Sequence, residues 1–345
     1  MVLVKSSNLV DKTPYNAFPF HCHPDCAVFP SGSPVENYDA SRVEFLVECK
    51  TVLSHDPFLQ DPMPQSESAR ANPFMSDGPA ARHVAGQITG YATQMLSAQY
   101  RTHAFTILVF KEFSRLIRWD RAGAIVTAPI NHDDDPFLYD FLIRYDNASL
   151  ETRGHDATVA RLTEDNNKEL MECARSVLEL AETETLLSIS IPDSSQTASR
   201  SFIVHAPYAQ ADIPAGRWTR TEIAYDVQRK QRVLLKDSWR VSLPDITPEG
   251  IVYGMLHRKN VPNIPVCTLG SDIGDGFHCS QTNDFVGNFL PYDAPHFTPL
   301  RHYRLVLDTI GQKLEDFRSS KQMVRAVRAA LRGKLIKRHW LCDVL

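Results

Sequence analysis

Val233-Leu234-Leu235-Lys236 is an apolar run closing on a lysine, and it decides how the second half of this chain is read. It ends the strand-turn-strand pattern Ala224 to Asp237, whose turn is Gln228-Arg229-Lys230-Gln231. Alone, a lysine at a strand end is an ordinary exposed residue. Its neighbours in order set it apart. Gly216-Arg217-Trp218-Thr219-Arg220-Thr221-Glu222-Ile223 precedes it, and Glu249 follows with Tyr253 and Leu256 four and seven residues on, hence on one helical face. Arg304-Leu305-Val306-Leu307-Asp308 reads as a further strand.

The 345 residues, 43% of them apolar, allow a sizeable core, and length predicts two domains. Seven cysteines without a Cys-x-x-Cys pair or a recognisable secretory leader predict a reducing compartment, cytoplasmic or nuclear. No apolar run approaches a membrane span, so no membrane is expected. A formal charge of −4 gives no global pull on nucleic acid. Arg101, Arg115, Arg118 and Arg121 are either a local basic patch or scattered surface arginines, and the bland alternative is favoured.

Along the first half, Arg42 to Lys50 predicts a strand on which Glu48 and Lys50 share a face. Residues 54 to 80, with five prolines, predict a long loop. Val84, Ile88, Tyr91, Met95 and Leu96 carry helical spacing over Arg82 to Tyr100. Ala104 to Phe110, Phe113 to Trp119 and Ala124 to Ile130 predict a meander. Asp133-Asp134-Asp135-Pro136 is read as a helix cap, and helices are expected to about Tyr145 and over Glu164 to Glu184. Strands then dominate until the helix Met323 to Leu331.

With Trp239-Arg240, Pro248-Glu249-Gly250, Val261-Pro262-Asn263-Ile264-Pro265 and His302-Tyr303-Arg304, the second half resembles the fungal-type protein kinase family. The likeness extends back through Gly86 to Tyr91, Arg101-Thr102-His103, Arg115 to Gly123 and Arg153-Gly154-His155-Asp156, covering about residues 20 to 331. It implies a kinase-like small lobe in which Lys236 and Glu249 form the catalytic ion pair and Gly216 and Lys236 face ATP and magnesium. The implied fold is α+β, with an α/β domain over 1–160 and the kinase-like domain over 161–345.

This chain departs from that pattern. Trp218 and Thr221 stand at two glycine positions of the phosphate-covering loop, where an indole fills the phosphate volume or forces the loop open. Neither His-Arg-Asp nor Asp-Phe-Gly, the segments that supply the base and the magnesium ligand, occurs. The expectation is a truncated, catalytically deficient pseudokinase acting as a binding module. An incomplete large lobe would leave the Leu305 strand and the Val324, Val327 and Leu331 helix bare, for a protein partner to cover.

The first half suggests a second chemistry. Pro24-Asp25, Glu48-Cys49-Lys50 and Gln87-Ile88-Thr89-Gly90-Tyr91 look like the pattern of PD-(D/E)XK nucleases. Asp25 and Glu48 would hold a divalent metal through oxygen, Lys50 would orient water or stabilise charge, and Gln87 and Tyr91 share a helix face. Nucleic acid is a partner under this alternative alone. The bland alternative is a solvated strand face and a packed helix. His21-Cys22-His23 with Cys26 invites zinc, but alternation sends adjacent residues to opposite faces.

Overall fold

The computed structural model describes residues 1–13, 23–32, 34–59, 74–194, 198–206, 213–286, 297–312 and 314–341. The segment carrying His21 and Cys22, and most of the proline-rich loop, lie outside them. The chain forms a mixed α+β structure with two sheets, and it divides into two compact units. The first comprises Met1–Ala157 with Pro207–Trp218 and Gly274–Arg301, and the second Thr158–Ala206, Thr219–Ile273 and His302–Leu345.

In the first unit, β1 (Val2–Lys5), β2 (Cys26–Phe29) and β3 (Phe45–Cys49) pair antiparallel. Helix α1 (Pro79–Ala98) then carries the chain to β4 (Ala104–Val109), which pairs parallel to β3 as a helical crossover permits. Pro79 suits the first helical turn, where its missing N–H costs no bond. Val84, Ile88, Tyr91, Met95 and Leu96 are all buried against the sheet, as their spacing predicts. β5 (Phe113–Trp119) continues the meander, with β6 (Ala124–Val126) and β7 (Ile130–Asn131) both pairing with it.

Helix α2 (Phe137–Asn147) packs Phe141 and Tyr145 against Phe45 and Phe105 on the other sheet face. It has no side-chain cap, which corrects the reading of Asp133-Asp134-Asp135: Asp135 instead accepts from the Asn131 amide at 3.3 Å.

In the second unit, β8 (Val159–Arg161) leads into α3 (Glu164–Leu178). This helix is shorter than expected because Glu179 adopts the left-handed conformation, φ 59°, that commonly ends helices. β9 (Leu186–Ile191), β10 (Arg200–His205), β11 (Arg220–Asp226) and β12 (Gln231–Val241) form an antiparallel meander with β8 at its edge. Helix α4 (Glu249–Arg258) and β13 (Cys267–Asp272) follow. The chain then returns to the first unit as α5 (Asn283–Val286) before β14 (Leu300–Leu307) and α6 (Ser320–Leu341). The sheet order is β13-β14-β12-β11-β10-β9-β8, so β14 lies inside the sheet, and its residues from His302 to Leu307 are all buried.

That interior position corrects one expectation. Leu305 is fully buried, packed with Tyr303, Leu307, Leu234 and Tyr253, whereas Val324, Val327 and Leu331 on α6 are exposed.

Candidate functional site

Lys236 stands on β12, where Val233, Leu235 and Asp237 are buried while Leu234 and Lys236 are half-buried. The alternation sends Leu234 into the cluster beneath α4, with Tyr253, Tyr303 and Leu305, and Lys236 follows it onto that face. Glu249 opens α4, where a carboxylate also suits the positive end of the helix dipole. Lys236 Nζ lies 2.6 Å from Glu249 Oε2, and both side chains remain partly exposed, at 23% and 33%.

The α4 terminus is held in place by a close fit. Tyr303 Oη accepts the Gly250 amide proton at 2.9 Å, and a Cβ on either Gly250 or Gly270 would meet that hydroxyl, at 2.6 and 2.5 Å. Burial pushes the Tyr303 phenol up to about 12, so it stays a neutral hydroxyl.

Beside it runs a buried polar network that spacing alone did not predict. Asp237 accepts from His302 at 2.9 Å and Arg304 at 2.7 Å, and Arg304 also donates to Thr158 and the Ser190 carbonyl. Burial by itself would raise the Asp237 carboxyl, but its contacts with His302 and the Arg304 guanidinium overcome this and hold it well below the usual range. Trp239 stacks on His302, and Arg240 forks onto Asp272 at 2.7 Å through both nitrogens. The segments Trp239-Arg240 and His302-Tyr303-Arg304 therefore have structural work to do. The available signal was an aspartate on the same strand face as Val233 and Leu235.

Gly216 and Trp218, expected over phosphate, belong to the first unit. The Gly216 amide donates to the Arg121 carbonyl at 2.7 Å, and the Arg121 guanidinium lies 4.1 Å from the Trp218 ring centroid. The indole N–H donates to the Ile213 carbonyl at 2.7 Å. Trp218 takes φ 42°, which a bulky side chain rarely adopts. A phosphate cradle needs backbone amides turned toward the ligand. Here the Gly216 amide is spent on protein, so these loop residues do not fit a nucleotide triphosphate.

The four arginines read as a patch or as surface residues are neither. Arg101, Arg115 and Arg121 are buried, and Arg118 is nearly so. Arg115 clasps Asp56 through two nitrogens, at 2.7 and 3.0 Å, and Arg118 pairs with Asp120. Arg101, with Arg153 and His155, surrounds the buried Glu44. Burial would raise Glu44, but His155 and these arginines bring it down to about 2. Arg101 and Arg115 meet carboxylates distant in sequence, Glu44 and Asp56, so counting charge could not place them.

The first unit brings Asp25, Glu48, Lys50 and Tyr91 together. Cys26 pairs with Val47, so Asp25 stands beside Glu48, and its amide reaches Glu48 Oε2 at 3.4 Å. Asp25 Oδ2 accepts from the Cys49 amide at 2.8 Å. Glu48 Oε1 is in contact with Lys50 Nζ, and Glu48 Oε2 accepts from the Tyr91 hydroxyl at 3.1 Å. Gln87 lies one helical turn earlier, with its Oε1 buried and unpartnered.

Two carboxylates are chemically suited to a hard cation. Both oxygens of Glu48 nevertheless already have protein partners. Burial first, then Asp25, raises the Cys26 and Cys49 thiols, which disfavours the nucleophilic thiolate.

No protein-family model, curated protein or solved structure matches this chain. No helix among the described residues is long and apolar enough to cross a membrane.

Proposed function

We propose that this chain is a relative of the fungal-type protein kinases whose kinase-like lobe serves binding and not phosphoryl transfer. The carrying observation is the 2.6 Å contact between Lys236 on β12 and Glu249 at the start of α4. A kinase small lobe makes this strand-lysine to helix-glutamate pair around ATP. The order of elements supports it: a meander β10-β11-β12, a helix, then β13 and β14, with β14 beside β12.

Transfer is assigned no step. Residues 1–345 contain neither of the two motifs that supply the base and the magnesium ligand, and the Gly216 amide and Trp218 ring are engaged by Arg121. The free thiols of Cys26, Cys49, Cys173, Cys267 and Cys279 support an intracellular site. The test is incubation with γ-labelled ATP, magnesium and a basic protein substrate, together with thermal melting in ATP and magnesium. Neither labelling nor a rise in melting temperature is expected. Label transfer that disappears in Lys236→Ala would overturn the binding-only assignment.

A second reading has one observation in its favour, the convergence of Asp25, Glu48, Lys50 and Tyr91 on a β2-β3 hairpin followed by α1 and the parallel strand β4. On this reading the arrangement resembles the PD-(D/E)XK pattern. Asp25 and Glu48 would hold a divalent metal that activates water against a phosphodiester, and Lys50 would leave Glu48 to stabilise the developing charge. Incubating single- and double-stranded DNA and RNA with magnesium or manganese decides it. Equal degradation by wild type, Asp25→Ala and Lys50→Ala would reject it.

A further inference from the structure

Helix α6 takes part in neither proposed site, and its exposed surface combines apolar and cationic rows. From Ser320 to Arg332 every side chain is exposed except those of Met323 and Ala329, which are half-buried. Val324, Val327 and Leu331 are 59%, 43% and 53% exposed and follow i, i+3, i+7 spacing, so they form one apolar stripe. Lys321, Arg325, Arg328 and Arg332, at i, i+4, i+7 and i+11, form a second row along its flank. Among the described residues none of these four cations has a carboxylate partner. None could come from within the helix, because Ser320 to Leu341 contains seven Lys and Arg and no Asp or Glu.

We propose that α6 is a docking helix for the apolar groove of a calcium-loaded EF-hand sensor, a groove rimmed by carboxylates. Charge complementarity argues for this occupant: a cationic row in a chain of net charge −4 favours an acidic rim, and anchors at i, i+3 and i+7 suit helix-in-groove recognition. This inference goes beyond the proposed function and stands whether or not Lys236 meets a nucleotide.

The experiment titrates the full chain into fluorescently labelled calmodulin, with excess calcium and then with chelator. A calcium-dependent complex of micromolar or tighter affinity is expected. The variant Lys321→Glu, Arg325→Glu, Arg328→Glu, Arg332→Glu should weaken it about tenfold or more, because reversed charges oppose the acidic rim. Val327→Asp with Leu331→Asp should do the same through lost anchoring, with circular dichroism and melting unchanged because all six positions are exposed. Absence of binding in calcium, or binding that both variants retain, would overturn the proposal. So would binding to phosphatidylcholine–phosphatidylserine vesicles without binding to calmodulin.

Discussion

Gly250→Ala tests how α4 is positioned, because two opposing effects of known size meet at one atom. In an unobstructed helix, alanine is favoured over glycine by about 1 kcal/mol. At Gly250 the added Cβ would lie 2.6 Å from Tyr303 Oη, 3.3 Å from Gly270 Cα and 3.4 Å from Leu305 Cδ1. Tyr303 is buried under the Arg240 guanidinium and cannot swing away.

Overpacking of this kind costs about 1–3 kcal/mol, and displacing the Gly250 amide from the phenol adds about 1. The net loss is about 1–3 kcal/mol, a fall of about 2–12 °C in melting temperature at the scale of a 150-residue unit. Gly254→Ala is the matched control on the same helix, where the nearest atom is the flexible end of Arg258 at 3.7 Å. It should be neutral or stabilising. Thermal melting of both variants is the assay, with acetylation of Lys236 read by mass spectrometry as Glu249 is displaced. Tyr303→Phe in the Gly250→Ala background should restore part of the loss, since the clashing oxygen is gone. If Gly250→Ala melts at or above Gly254→Ala, the phenol does not set the position of α4.

Gly154→Ala should abolish folding of the first unit or cost about 3 kcal/mol or more, seen as loss of soluble, cooperatively melting protein. Its φ is +98°, and a Cβ there would lie 2.1 Å from the His103 carbonyl oxygen, a backbone atom. Glu44 predicts acid sensitivity: its folded value is about 2 against an ordinary 4.5, so it contributes stability fully above about pH 4.5 and loses it as pH falls toward 2. The full contribution is about 3 kcal/mol, and Glu44→Gln should flatten the melting temperature between pH 5 and pH 3 relative to wild type. Asp237→Ala should cost about 3–5 kcal/mol by removing a carboxylate paired with the fully buried Arg304, and a change below 1 would show the network to be dispensable.

The strands β3, β4 and β5 and helix α1 were legible because their residues follow one-dimensional patterns: on α1, Val84, Ile88, Tyr91 and Met95 recur at helical spacing. Lys236 and Glu249 were legible by their place in an ordered series, and 2.6 Å separates their charged atoms. What stayed hidden involves partners distant along the chain. Arg115 meets Asp56, and Arg304 meets Thr158, residues that no local pattern connects. The loop at Gly216 was read as facing a ligand because it precedes the Lys236 strand, and order along the chain does not record where a backbone is held. Arg121 takes up both the Gly216 amide and the Trp218 ring.

The sequence segments that carry the family resemblance therefore divide into two physical kinds. Arg101, His103, Gly154 and His155 cradle one another and Glu44, and burial pushes His103 down to about 3, keeping it neutral inside the fold. Their presence together is explained by packing, and it says nothing of chemistry. The Lys236–Glu249 pair is different. A partly solvated ion pair contributes about 0–1 kcal/mol, so stability gives little reason to keep a lysine there. Lys236→Ala should lower the melting temperature by no more than about 4 °C while Asp237→Ala, the next residue along, lowers it several times as much. A large loss in Lys236→Ala would place that pair among the structural networks and remove the physical ground for treating it as a site.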